Sequence, residues 1–456
     1  MNSEQKMHLK IKKGLDLPLS NPPKGEVQNL ERPENIGLDL SSFSNLRLRL
    51  LVNENDSVKI GQPLVEDKVV DQRTFISPAS GTIKEIIRGD KRSIKTIVIK
   101  LDDSESHFDT NPIDFKKASS SDIVQALHKN SLLAHVISRP FCRIPNPGKM
   151  PKSIFIKALE SAPYLPDVKM QLKGYEKEFQ AGLDVLSRIT PEKVHLVHKV
   201  EDNDFFSQMK NVNIHSAAGP HPIANPSLHI YMIDPITSPT DVVWSLSVND
   251  VITIGMFFTS GKYHIDRIVS VAGSGCMAEK VGFFKTRMGV SLKTLLNNRL
   301  ISQSSEIISG DPLTGEARDI NGFLGFFHTC VSVIKKSETR EPFHFFRLGM
   351  NKYSATKTYL SGFLKSKKFD FTTNQHGEHR AFVDNSVYEK VMPMRIPTMQ
   401  LMKAIIVEDF EAAIELGLLE VAPEDFALPS FVCPSKNEMI KIVKEGLKKY
   451  SEETGL

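Results

Sequence analysis

Between residues 52 and 100 the chain alternates short β-branched runs with turns: VNENDSVKIGQPLVEDKVVDQRTFISPASGTIKEIIRGDKRSIKTIVIK. Breaks fall at Asn55-Asp56, Gly61-Gln62, residues 78–81 and Gly89-Asp90. That spacing predicts a compact all-β module. All of 1–105 reads as β, with a Pro/Asn/Gly-rich stretch at 18–33 ahead of the module. The polar spacer DDSESHFDTNPIDFKK then marks a boundary. Ser121-Asp122 is expected to cap a helix, DIVQALHKNSLLAHVI, whose apolar residues recur at helical spacing.

From residue 153 the period changes. SIFIKAL, KVHLVHKV, NVNIHSA and LHIYMI read as strands, and YEKEFQAGLDVLSRI between the first two reads as a helix. This alternation predicts a parallel, Rossmann-like α/β layer over 106–261, closed by WSLSVNDVITIGMFFTSG as a helix. HIDRIVSVAG opens a smaller β-rich unit, 262–335, with one helix from Ser291 and a further strand, HTCVSVI. Residues 336–456 combine an irregular linker, starting near Glu341, with helical text from Pro397 onward. The expected class is therefore α/β multidomain. It comprises a β domain resembling the barrel-sandwich of biotinyl and lipoyl carriers, a Rossmann-like domain, a β-grasp domain of the soluble-ligand-binding (SLBB) type and a C-terminal helical domain.

Composition narrows the function classes. A net charge of +4 over 456 residues gives no case for nucleic-acid binding. Basic clusters at Lys10/Lys12/Lys13, Arg88/Lys91/Arg92/Lys95 and Lys441/Lys444/Lys448/Lys449 read as solvated faces. Cys142, Cys276, Cys330 and Cys433 lie far apart without a C-x-x-C pair, so neither a disulfide framework nor a zinc or iron–sulfur knuckle is expected. A reducing compartment follows. The polar start MNSEQKMHLKIKK lacks the apolar core of a secretory signal. The most membrane-like segment, DVVWSLSVNDVITIGMFFTSG, is interrupted by Asp241, Ser245, Ser247, Asn249 and Asp250. It falls short of the roughly 20 apolar residues a spanning helix needs, so a soluble or peripheral chain is expected.

Several motifs invite chemistry and most yield to a plainer reading. Gly273-x-Gly275-x-x-Ala278 follows an apolar strand, as a dinucleotide loop would, but no helical period and no ribose-binding acid come after it. Lys68 lies where carrier domains present a modified lysine, yet VEDKVVDQRTF is not the compact turn a ligase reads. His195 and His198, three apart on a strand, point to opposite faces. His376 and His379 bracket Glu378 without a further ligand. Gly219-Pro220-His221-Pro222 sits at the sheet edge where ligands bind α/β folds, or is simply a stiff turn. SRPFCRIPNPGK is the most suggestive. Arg139, Phe141 and Arg143, separated by prolines, would set an aromatic face beside fixed guanidinium donors, which suits a flat head group with two carbonyls. A braced interdomain loop with arginines paired to carboxylates is the alternative. No catalytic set, metal site or resident cofactor is expected on this chain.

KIKKGLDLP, FISPASGTIKEIIRGDKRSIKTIVI, RPFCRIPNP, GPHP, DVVW…VNDVITIG, DRIVSVAG, NKYSATKTYL, FDFTTN, YEKVMPMRIPTMQLMKA and FVCPSKNE occur in order along nearly the whole chain. Together they resemble the A-subunit family of the bacterial Na⁺-translocating NADH:quinone oxidoreductase. More distant relatives are the C subunit of the Rnf complex and the NADH-binding subunit of complex I. The resemblance implies a peripheral subunit on the cytoplasmic face of the inner membrane, in a complex with five others (B, C, D, E and F), docking chiefly on the membrane-embedded B component. NADH entry, FAD, FMN and the iron–sulfur centre would belong to the partners. This chain would contribute to ubiquinone binding and to reduction of ubisemiquinone to ubiquinol coupled to Na⁺ export, or serve as an assembly scaffold. The resemblance associates residues 135–143, with Arg139, Phe141 and Arg143, and less closely residues 34–40 (ENIGLDL), with quinone. Where the relatives carry cysteine clusters, only Cys433 is present, and about four thiolates are needed for a cluster.

Overall fold

The computed structural model describes residues 6–302, 304–337, 343, 346–364 and 367–456. The expected linker stretch from Glu341 therefore falls partly outside the described residues. The chain builds a barrel-sandwich, an α/β layer, a β-grasp sheet and a C-terminal helical layer.

In the barrel-sandwich, Asn35–Asp39, Ile94–Leu101, Gly81–Arg88 and Ser57–Val58 form one sheet. Leu48–Leu50, Pro63–Asp67 and Thr74–Ile76 form the other. Ile36, Leu38, Leu64, Phe75, Ile83, Ile97 and Ile99 fill the space between them. The turns that punctuate the sequence are the turns of this module.

The α/β sheet runs in the order His8–Lys10, Asn213–Ala218, Val194–Lys199, Ser153–Ala158, Val243–Ser247, Ile137–Arg139, all parallel except the last strand. Its inner strands are buried on both faces, as parallel strands are. Period-2 alternation decides which way each residue points. Ile154, Ile156, Leu196, Trp244 and Leu246 face the helices Glu176–Ile189 and Val248–Ser260. Phe155, Val197, Ala217 and Val243 face the C-terminal helices, through a second core with Leu401, Phe426, Val443 and Leu447. From Ser153–Ala158 the chain moves outward twice on one side, then returns to Val243–Ser247 on the other. The sheet therefore has a switch point between those two strands.

The third sheet is Glu316–Arg318, Ser305–Ser309, Cys330–Lys335, Asp266–Ala272, Gly282–Arg287, Val27–Asn29. Its outermost strand, like the first strand of the α/β sheet, comes from the N-terminal thirty residues. These residues leave the barrel and complete two other sheets.

Five local expectations are corrected. LHIYMI is the helix Pro226–Ile233, because Pro226 cannot donate to a ladder but suits a first helical turn. WSLSV is the strand Val243–Ser247, and only Val248–Ser260 is helical; a capping box between Ser247 and Asp250 divides them. Helix Ser120–Lys129 is capped by Ser119 with Asp122, and it stops before Ser131, whose φ is +59°. The helix expected from Ser291 is a single turn, Leu292–Leu295, with Ser291 as its N-cap. In the last domain Asp409 starts a new helix, so the long helical run becomes Thr398–Ile406 and Phe410–Glu415, followed later by Met439–Thr454.

Candidate functional site

Two cavities meet at the carboxyl edge of the α/β sheet. The inner one, about 250 Å³, opens at the switch point and is lined by Arg139, Lys157, Ser161, His221, Asn249, Asp250 and Arg267, among others. Lys157 Nζ is 2.8 Å from Glu160 Oε2. His221 Nδ1 lies 2.9 Å from Ser161 Oγ, and burial pushes this histidine down to about 4, so it is neutral at pH 7. His135 Nδ1 lies 3.0 Å from Asp250 Oδ1. Asp250 is raised by burial, but its bonds to His135 and Ser247 outweigh that and hold it below the usual range. Arg139, Lys157 and Arg267 face Glu160, Asp250, Asp311 and Glu424, so the lining carries no cationic surplus for a polyphosphate.

The outer cavity, about 410 Å³, lies between residues 141–143 and the helix Met439–Thr454. Phe141, Arg143, Ile440 and Leu447 form its walls, Lys444 and Lys448, the latter 3.8 Å from Glu452, its charged side, and Ser42, Ser44 and Asn45 reach it from the barrel. The turn that presents Phe141 is closed by Ser138 N–H donating to Arg143 O (2.7 Å) and Arg143 N–H donating to Ser138 O (3.2 Å). The Arg139–Pro140 and His221–Pro222 bonds are both cis. Arg143 Cζ lies 5.0 Å from the Phe141 ring centroid, and its Nη1 donates to Ser451 Oγ at 2.8 Å. The Phe141 ring is also 6.1 Å from that of Tyr450. Burial, and then Arg73, pull Arg143 below the ordinary arginine range.

Glu424 and Thr314 line both cavities. Arg139 Nη2 donates to Glu424 Oε1 at 2.5 Å, and Nη1 to Cys142 Sγ at 3.0 Å. Burial disfavours the Arg139 charge, but the adjoining Cys142 sulfur and Glu424 carboxylate outweigh it and hold Arg139 up. Glu424 shows the same contest: burial raises it, Arg139 overcomes that, and it ends low. The next residue, Asp425, accepts from Asn225 Nδ2 and Ala422 N, each at 2.8 Å. Burial and then Glu424 lift it to about 6.

The three residues singled out in RPFCR thus divide between the cavities. Phe141 and Arg143 share the outer one, while Arg139 lines the inner one and is paired. Within residues 34–40, Asn35–Asp39 forms the first barrel strand, and Ser42, Ser44 and Asn45 just beyond it reach the outer cavity. His221 lines the inner cavity. Glu424 and the helix Met439–Thr454 had no sequence signal beyond a Pro-Glu-Asp run and an amphipathic period.

The other motifs lie elsewhere. Lys68 is exposed in the connection after Pro63–Asp67. Gly273 and Cys276 offer their carbonyls to Asn21 Nδ2, and Gly275 N–H donates to Val333 O, so this glycine turn packs on protein. His195 Nδ1 is 3.0 Å from His215 Nε2, whereas His198 turns to Lys199 O and stacks on Phe206. Among the described residues no group of three or more His, Cys, Asp or Glu could hold a metal, and no helix is long and apolar enough to cross a membrane. Trp244 is fully buried beside Ser138 in the sheet.

Three family models match the chain: the NqrA N-terminal barrel-sandwich hybrid domain over 9–102, the NqrA second alpha/beta domain over 118–263 and the NQRA C-terminal domain over 268–319. Curated relatives, each the A subunit of a Na(+)-translocating NADH-quinone reductase, are similar from end to end. That of Chlamydia caviae is 38% identical over 99% of this chain and 98% of its own. That of Chlamydia pneumoniae is 36% identical over 99% of each. That of Cellvibrio japonicus is 35% identical over 98% of this chain and 100% of its own. Among solved structures, an NAD⁺-reducing [NiFe]-hydrogenase in the H2-reduced state aligns over 75% of this chain and 64% of its own, at 13% identity and a TM-score of 0.38.

Proposed function

The chain belongs to the A-subunit family of Na⁺-translocating NADH-quinone reductases, and on that premise we propose that its outer cavity receives the head group of ubiquinone. In this reading the chain contributes to quinone binding and to reduction of ubisemiquinone to ubiquinol coupled to Na⁺ export. NADH, FAD, FMN and the iron–sulfur centre lie on the five partners, B to F. The chain sits at the cytoplasmic face of the membrane through the complex, chiefly against the B component.

The observation that carries this reading is the cation–aromatic pair at the cavity wall. The Phe141 ring with Ile440 and Leu447 gives a flat apolar surface for a ring. Arg143, held 5.0 Å over that ring and steadied by Ser451, points fixed N–H donors to where a quinone oxygen gains charge on reduction. Lys444 adds positive potential on the same side, favouring the reduced, more negative oxygen, while Lys448 lies 3.8 Å from Glu452 of the same wall.

The test uses Arg143→Gln and Phe141→Ala in the assembled complex. Losing a charge-assisted hydrogen bond should raise the KM for ubiquinone roughly tenfold. Subunit stoichiometry and NADH oxidation by an artificial acceptor should stay unchanged. Normal assembly with wild-type quinone kinetics in both variants would overturn the reading and leave an assembly scaffold in its place.

A further inference from the structure

Three polar side chains on the wall of the inner cavity each carry a buried atom without a hydrogen-bond partner among the described residues: Arg139 Nε, His221 Nε2 and Asn249 Oδ1. The residues are 4%, 4% and 7% exposed. Buried polar groups in folded proteins are nearly always paired, so three exceptions around one space point to a partner held within it.

The three atoms specify that partner. Arg139 Nε–H can only donate, and its Nη groups are already engaged by Glu424 and Cys142. Ser161 Oγ accepts from Ala224 N–H at 3.2 Å, which leaves its own hydrogen for His221 Nδ1, 2.9 Å away. The His221 ring is neutral at pH 7, so its proton then sits on Nε2 and Nε2 donates. Asn249 Oδ1 accepts. The wall thus offers two donors and one acceptor. Arg139 is paired with Glu424 and Lys157 with Glu160, which favours an uncharged ligand. Ile137, Leu165, Val168, Leu246 and Phe326 supply apolar lining, and about 250 Å³ suits one small ring system.

We propose that the inner cavity binds a neutral pyrimidine-2,4-dione, the ring of uracil and uridine, with its two carbonyls accepting from Arg139 and His221 and its imide N–H donating to Asn249. The place is the switch point of the α/β sheet, where such sheets receive ligands. A benzoquinone shares the two carbonyls but has no N–H, and it would leave Asn249 Oδ1 buried and unpaired. The site is therefore separate from the outer cavity, and Phe141 and Arg143 are not on its wall. Its lining is drawn from the α/β layer, from the β-grasp sheet through Arg267 and from the C-terminal layer through Glu424, so the ligand would join three domains.

The purified full chain is titrated by calorimetry with uridine and with 3-methyluridine, which is blocked at the imide nitrogen. Uridine should bind and raise the thermal midpoint. The methylated nucleoside should bind roughly tenfold more weakly or worse, having lost a hydrogen bond to a buried acceptor. Asn249→Leu should weaken uridine by a similar factor, whereas Arg143→Gln should bind it as the wild type does. A short-chain ubiquinone analogue should not displace it. No uridine binding at millimolar concentration would overturn the proposal and leave the cavity to water. Equal binding of the two nucleosides, wild-type affinity in Asn249→Leu or displacement by the quinone analogue would overturn it as well. The nucleoside comparison uses the unaltered chain, so it decides the matter even if Asn249→Leu folds poorly. Failure here would leave the quinone reading of the outer cavity standing, because that reading is tested by Phe141 and Arg143 alone.

Discussion

Arg139 and Glu424, 285 positions apart in the sequence, meet at 2.5 Å and tie the edge strand of the α/β sheet to the C-terminal helices. Arg139 is 4% exposed, whereas the Glu424 side chain keeps 32%. Removing the acid strands a buried cation, which costs more than the pair itself contributes. Glu424→Gln should therefore destabilise the chain by about 2 kcal/mol, discounted for the partial exposure of Glu424. Thermal unfolding measures it. A double-mutant cycle with Arg139→Gln should return most of that loss as coupling, and additive effects would mean the pair is not coupled.

Asp425 gives stability a pH dependence of definite sign. Burial and Glu424 raise it to about 6, whereas aspartate in an unfolded chain titrates near 3.9. Below about pH 4 both states hold the proton and the side chain contributes in full; as pH rises through 6 the buried group ionises, at roughly 3 kcal/mol. Glu424, held low, behaves oppositely: its contribution is present above its unfolded value and is lost as pH falls through its folded one. Asp425→Asn should raise the unfolding midpoint at about pH 8 and leave it nearly unchanged at about pH 3. Equal shifts at both pH values would contradict this assignment.

The helices Glu176–Ile189 and Val248–Ser260 approach through glycine. A Cβ on Gly255 would stand 1.8 Å from Glu178 O and 2.5 Å from Gly182 N, and one on Gly182 would stand 2.2 Å from Val251 O. Backbone cannot yield as a side-chain tip does, so Gly255→Ala should cost about 2 kcal/mol or more despite alanine's better helix propensity. Denaturant unfolding would register it as a lower midpoint. An unchanged or higher midpoint would show that the helices separate easily.

Cys142 is the one cysteine of the four that is not fully buried, yet its environment quiets it. Burial pushes its thiol up to about 12, which leaves a thiolate fraction near 10⁻⁴ at about pH 8. Iodoacetamide at that pH should leave the folded protein essentially unmodified by intact mass and add four groups after unfolding. Rapid single alkylation of the folded chain would place Cys142 in a wetter, more polar setting.

The barrel was legible because its turns are written in Asn-Asp, Gly-Gln and Pro-to-Gly pairs, and Glu176–Ile189 because its period is sustained over fourteen residues. LHIYMI misled because a six-residue, mostly apolar run fits a strand or a buried helix equally, and the decisive residue was Pro226, two positions before it. The site was half legible. Phe141 and Arg143 announce themselves by type and by the prolines around them. Glu424 does not: one acid among 54 acidic residues becomes special only when tertiary folding delivers Arg139 to it. The same holds for the wall built from Ile440, Leu447 and Ser451, an ordinary amphipathic face until the loop at 141–143 lands on it.

The early strands carry a consequence for synthesis. His8 pairs with Ser216, and Val27 with Phe283. At about 5–20 residues per second, the first strand emerges roughly 10–40 s before its partner exists. Through that interval Leu9, 1% exposed in the finished fold, has no apolar surface of its own sheet to cover it. The strands His8–Lys10 and Val27–Asn29 thus act as late fasteners: the barrel can close as soon as it leaves the ribosome, but the α/β and β-grasp sheets keep open borders until these early-made strands return to seal them.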